Sequence, residues 1–180
     1  MSIEPEVHVV RSDGPAGADL DALSAEERHA LTALRSETAR RERIAGRAVL
    51  RRWLGARHGL APADVPLTLE PSGRPSSPLG PRFSIAHGGG LVVVAFAPCE
   101  IGVDVEPLTP LGDDLARLVR AYASDAEARA IDGERAFLEM WVRKESILKA
   151  TGMGLACEPR QLDVRGEIVT FGARRWQVRA

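Results

Sequence analysis

Three short β-type runs stand close together between residues 83 and 106, and glycine or proline breaks separate them. Phe83 and Ile85 alternate with Ser84 and Ala86, and that run enters Gly88-Gly89-Gly90. Leu91–Ala97 and Ile101–Glu106 follow, parted by Pro98-Cys99-Glu100. Side chains two apart on a strand share a face. The segment therefore predicts strands joined by tight turns, with 91–97 pairing with 101–106 as a hairpin. Helical stretches stand on both sides of this block, which makes the fold class α+β.

The helices announce themselves by their ends. Ser24 precedes Glu27 by three, the spacing of a capping box, and Ser124 precedes Glu127 in the same way. A long helix is expected from near Ser36 to about His58, and others over 112–123, 124–132 and 134–150. Gly152 sits where a helix C-terminus favours glycine. Val7–Val10 reads as a short strand, 65–70 as another from the alternation of Val65, Leu67 and Leu69, and 161–165 and 174–179 as the last two. The Pro-, Ser- and Gly-rich stretch 71–82 reads as a loop. Gly59-Leu60-Ala61 repeats as Gly154-Leu155-Ala156, an offset of 95 residues, and each copy follows a long helix and precedes an alternating run. This predicts two related lobes, 1–98 and 99–180.

Composition excludes more than it assigns. The 180 residues carry a formal net charge of -1, so no global field draws nucleic acid. With 44% apolar but only 4% aromatic residues, Leu, Val, Ala and Ile must fill the core. No apolar run approaches the length that spans a bilayer, and no basic region followed by an apolar block opens the chain. Cys99 and Cys157 do not form a short-spaced metal pair. The expectation is a cytoplasmic, reduced protein that binds neither membrane nor nucleic acid.

Four constellations carry possible chemistry. Asp104 and Glu106 fall on one face of a strand, and two adjacent carboxylates repel unless a cation or proton intervenes. Phe137, Trp141, Glu145 and Lys149 are four-residue steps along one helix stripe. An exposed ion pair would account for the last two, or Glu145 could complete a metal site begun by Asp104 and Glu106. His87 ends a strand just before three glycines, where backbone N–H groups can approach a phosphate. Seven arginines crowd residues 40–57, and Arg43, Arg47 and Arg51 form one stripe suited to phosphate or to solvent.

In this order, the motifs resemble the surfactin-type (Sfp-type) 4′-phosphopantetheinyl transferases. Gly73-Arg74-Pro75 matches that family's Gly-Lys/Arg-Pro step, and Phe83-Ser84-Ile85-Ala86-His87 its histidine-ended strand. Gly102-Val103-Asp104-Val105-Glu106 and Trp141-Val142-Arg143-Lys144-Glu145-Ser146, continuing through Lys149, Gly152, Gly154 and Leu155, match its two most specific motifs. The resemblance implies two similar α/β lobes about a pseudo-twofold axis in one monomer, with the active site between them. It implies transfer of 4′-phosphopantetheine from coenzyme A to a serine of an acyl or peptidyl carrier protein, releasing 3′,5′-ADP.

Carried over by position, Asp104, Glu106 and Glu145 are the implied Mg²⁺ ligands. Lys149 and Lys144 are implied as phosphate-facing or proton-handling groups. Either Glu145 or Lys149 is the implied base. His87 is implied to meet the 3′-phosphate of coenzyme A, with Arg74 near the adenine nucleotide and Arg43 and Arg47 near the same phosphate. Arg117 and Arg120, with Leu118 or Ala121 beside them, offer an apolar strip edged by cations for an acidic carrier helix. Three departures stand out. Ala86 replaces a serine that belongs to the nucleotide site, Arg74 replaces a common lysine, and the family carries a further strand past the position of Ala180. The alternative is a relative that binds coenzyme A or a carrier without catalysis.

Overall fold

A computed structural model describes residues 4–70, 73–153 and 157–179. The chain divides into two compact units, Met1–Ile101 and Gly102–Ala180. The sequence places the boundary a few residues earlier, after 98.

The first unit is a three-stranded antiparallel sheet with a long helix across it. Strand β1 (Glu6–Arg11) and strand β4 (Arg82–Gly88) flank strand β5 (Leu91–Ala97). Gly89 and Gly90 make the two-residue turn between β4 and β5, with φ of 59° and 80°. Positive φ at both turn residues matches the twist of a hairpin and favours glycine. Because β1 and β4 occupy both edges of β5, no edge remains for residues 101–106. The expected pairing of 91–97 with 101–106 is therefore not formed, and 101–106 runs outside any sheet.

Helix α1 (Ala25–Ala30) begins at the predicted capping box, with both reciprocal bonds between Ser24 and Glu27 in place. Helix α2 (Glu37–His58) starts at Ser36 and ends on Gly59 at φ 65°. Its inner face, including Ala45, Leu50 and Leu54, packs on Phe83, Val92, Val94 and Phe96 of the sheet. Full burial of each larger side chain contributes about 1.5–3 kcal/mol. Gly46 admits the sheet closely, since a Cβ there would sit 3.0 Å from Ile85. Of the strand expected over 65–70, only β2 (Thr68–Leu69) forms, paired with β3 (Pro75–Ser76).

The second unit is mainly helical: α3 (Asp114–Tyr122), α4 (Asp125–Ala130) and α5 (Glu134–Thr151), then the hairpin of β6 (Ile168–Phe171) with β7 (Arg174–Gln177). Its core joins Phe137, Met140, Ile147 and Leu148 of α5 to Leu162, Val164 and Val169. The Ser124–Glu127 capping box forms, and α5 ends on Gly152 at φ 71°. Residues 161–165 are not the strand expected. Leu162 and Val164 are buried as their alternation demands, but side chains satisfy their backbone: Glu127 accepts from Val164 N–H at 2.8 Å and Arg143 donates to Val164 O at 2.8 Å. On α3, Leu118 packs partly into this core, Arg117 pairs with Asp114, and Arg120 and Ala121 are exposed. The second Gly-Leu-Ala copy, 154–156, lies outside the described residues. Among the described residues, no helix is long and apolar enough to cross a membrane.

Candidate active site

The second unit lays an extended segment along one stripe of α5. Gly102 makes the approach possible, because a Cβ there would lie 1.8 Å from Ser146 O and 2.6 Å from Ala150 N. The segment then runs toward the helix N-terminus. Asp104 Oδ1 accepts from Lys149 Nζ at 2.5 Å, and the Trp141 side chain lies near Glu106 and favours its charged form. Trp141, Glu145 and Lys149 are the four-residue steps read from the sequence, and the stripe reaches both carboxylates of the Asp-x-Glu motif.

The electrostatics of this cluster are unfavourable as it stands. The Asp104 side chain is only 7% exposed, and its Oδ2 is buried without a hydrogen-bond partner. Burial raises the Glu145 carboxyl above its ordinary range and Asp104 raises it further, with Lys149 opposing. Glu106 is raised for the same two leading reasons, with Trp141 and Lys149 opposing. Three carboxylates thus share one ammonium. The donor set is hard oxygen, the kind that suits Mg²⁺, and an orphaned buried carboxylate oxygen fits a cation. The side chains do not converge on a point, however. No group of three or more His, Cys, Asp or Glu among the described residues could hold a metal ion as arranged.

Lys144 does not join the cluster. It is fully buried, and its ammonium donates to Glu127, to Pro159 O and to Leu162 O. An ammonium has three N–H donors, so none is left for a phosphate.

The residues expected around a nucleotide lie in the first unit. His87 ends β4 half exposed, its Nδ1 3.2 Å from the buried Glu42 of α2. Ala86 is 1% exposed and, one residue away on a strand, faces opposite to His87. It offers no surface on the side His87 uses. Arg74 donates to Phe83 O at 3.3 Å and reaches Glu100 at 3.5 Å.

The arginine stripe divides by role. Arg51 is buried and bonded to Glu27 and to three carbonyls. Arg47 is buried 3.4 Å from the same Glu27, and burial lowers its pKa, with Arg43 and Arg51 adding repulsion. Arg43 is exposed. All three line a cleft of about 430 Å³ with Leu31, Leu34 and Leu69. Glu26 and Glu27 also line it, so three guanidiniums face two carboxylates and the lining keeps a net positive charge. Sequence reasoning missed Glu42, Glu127 and the approach of Trp141 to Glu106. The four-residue spacing of Trp141 from Glu145 was the available signal for the last.

The family model for the 4′-phosphopantetheinyl transferase superfamily matches residues 100–177, the stretch that carries the carboxylate segment and α5. Over that stretch the chain is similar to this superfamily. It is 28% identical over 170 residues to a 4′-phosphopantetheinyl transferase of Bacillus subtilis, covering 89% of this chain and 76% of that one. It is 27% identical to the 4′-phosphopantetheinyl transferase Sfp of the same species, over 68% of this chain and 57% of the relative. To the 4′-phosphopantetheinyl transferase HetI of a Nostoc species it is 35% identical, over 65% and 54%. The chain thus spans little more than half the length of the last two relatives.

Proposed function

We propose that the chain transfers the 4′-phosphopantetheine group of coenzyme A to a serine hydroxyl of an acyl or peptidyl carrier protein. The observation that carries this reading is the Asp104–Glu106 segment laid on the Trp141, Glu145, Lys149 stripe. The relatives are named for the same transfer.

In the proposed step the serine oxygen attacks the β-phosphorus of coenzyme A. The new O–P bond forms as the bond to the bridging oxygen breaks, and 3′,5′-ADP leaves. A serine hydroxyl needs a base at neutral pH. Glu145 is the proposed base, its carboxyl standing in the same cluster as Asp104 and Lys149. Lys149 neutralises charge beside Asp104 and is placed to do the same for a diphosphate. Mg²⁺ is the proposed cofactor; Asp104, Glu106 and Glu145 would hold it, and it would neutralise the pyrophosphate. In the first unit, Arg43 and Arg47 and the His87 ring are the proposed seats for phosphate, with Arg74 near the nucleotide.

The test is Asp104→Ala. It is expected to abolish transfer while leaving the circular dichroism spectrum unchanged. Normal turnover by this variant at modest Mg²⁺ would show the site is wrongly placed. Coenzyme A binding by the wild type without turnover would favour the non-catalytic alternative.

A further inference from the structure

Both units contain the same buried clamp. In the first, Glu27 of the α1 capping box bonds Arg51 Nε at 2.5 Å. Arg51 Nη1 also donates to Pro62 O at 2.9 Å and to Val65 O at 3.0 Å. In the second, Glu127 of the α4 capping box lies 2.7 Å from Lys144 Nζ. Lys144 also donates to Pro159 O at 2.7 Å and to Leu162 O. Each cation stands eight residues before the left-handed glycine that ends its long helix, Gly59 or Gly152. Each clamped pair of carbonyls belongs to the first residue of a 3-10 turn, Pro62–Asp64 or Pro159–Gln161, and to the residue just after it.

The surroundings match too. The cleft beside the first clamp is lined by Glu27, Ala30 and Leu31, and a smaller cleft of about 180 Å³ beside the second by Glu127, Ala130 and Ile131. Counting back from the clamp cations, Ala136 and Met140 stand where the first unit has Arg43 and Arg47. The second clamp thus forms without counterparts of those two arginines, whereas in the first Arg47 also lies 3.4 Å from Glu27.

We infer that Lys144 is a positioning residue, the counterpart of Arg51, which fixes α5 against residues 157–164. Glu145 follows Lys144 by about 100° around the helix. Anchoring the Lys144 side thus sets where the Trp141, Glu145, Lys149 stripe points. The register of the repeat also differs from that of the Gly-Leu-Ala match: Val65 corresponds to Leu162, not Leu67 to Leu162. The clamp stands on hydrogen bonds alone. Only its link to transfer rests on the proposed function.

The experiment is a double-mutant cycle on the full chain, with Lys144→Met, Glu127→Gln and the pair, followed by thermal unfolding. Removing one partner leaves the other buried and unpaired, whereas removing both is milder. Each single change is expected to lower Tm by roughly 10 °C, and the double change by clearly less than their sum. Additive losses would overturn the pairing. Lys144→Arg, which installs the cation used at the first clamp, is expected to retain most of the Tm and of kcat.

In transfer assays, Glu127→Gln is expected to lower kcat and leave KM for coenzyme A within about twofold. Lys144→Met with an unchanged Tm and a several-fold higher KM for coenzyme A would make this lysine a phosphate ligand and overturn the proposal. Should Lys144→Met not fold, Glu127→Gln and Lys144→Arg decide the question by the same readouts. Should the wild type show no transfer, the proposed function fails, and the melting cycle still decides the clamp.

Discussion

Asp104 presents two unlike oxygens: Oδ1 holds Lys149, and Oδ2 is buried with no partner. Such an oxygen costs free energy unless something satisfies it. The neighbouring glutamates add to the strain. Glu145 has a folded-state pKa raised first by burial and then by Asp104. For a raised carboxyl, the stabilising contribution is complete below the unfolded-state pKa and is lost as pH rises through the folded one. At neutral pH without divalent cation, Glu145 therefore destabilises the fold. Glu145→Gln is expected to melt higher than the wild type at pH 7 in chelator, by a few degrees, with the gap closing as pH falls toward the ordinary glutamate range. A variant that melts lower at pH 7 would mean that Glu145 makes a favourable contact as a carboxylate. On the proposed reading, Mg²⁺ raises the wild-type Tm and leaves that of Glu145→Gln nearly unmoved.

At the scale of elements, what the sequence revealed and what it hid divide along a physical line. Helix ends were legible because caps are local: Ser24 with Glu27, Ser124 with Glu127, and Gly59 and Gly152 each satisfy backbone groups within one turn. Residues 101–106 and 161–165 were misread as strands. Alternation reports which side chains are buried, not what the backbone pairs with. The first lies along α5 and the second is satisfied by Glu127, Arg143 and Lys144, all distant in sequence. Of the candidate site, the sequence showed the residue types: Asp104 pairs with Lys149, and Asp104, Glu106 and Lys149 act on the Glu145 carboxyl without converging on one point. The surroundings of Lys144 were not legible, because two of its three partners are backbone carbonyls, which leave no pattern. The same close packing makes Gly102 a sensitive position. Gly102→Ala would press a methyl into Ser146 O, and is expected to cost about 1–3 kcal/mol and to lower kcat by shifting Asp104 from Lys149. A variant with wild-type Tm and kcat would show that the segment does not bear on the helix this closely.

At the scale of the molecule, the two units hold different parts of the proposed machinery: anion seats in the first, the carboxylate and ammonium cluster in the second. This predicts a separation of kinetic effects. His87→Ala is expected to raise KM for coenzyme A several-fold with little change in kcat, because the 3′-phosphate is remote from the bond that breaks. With dephospho-coenzyme A, mutant and wild type should differ little. Equal loss of kcat with both donors would instead put His87 in the chemical step. The account's central claim is tested most directly by the mass of an apo carrier protein incubated with this chain, coenzyme A and Mg²⁺. The account predicts a gain of one phosphopantetheine on a carrier serine, equimolar release of 3′,5′-ADP, and neither in the presence of chelator or with Asp104→Ala. A carrier mass that stays unchanged while the chain binds coenzyme A would contradict it.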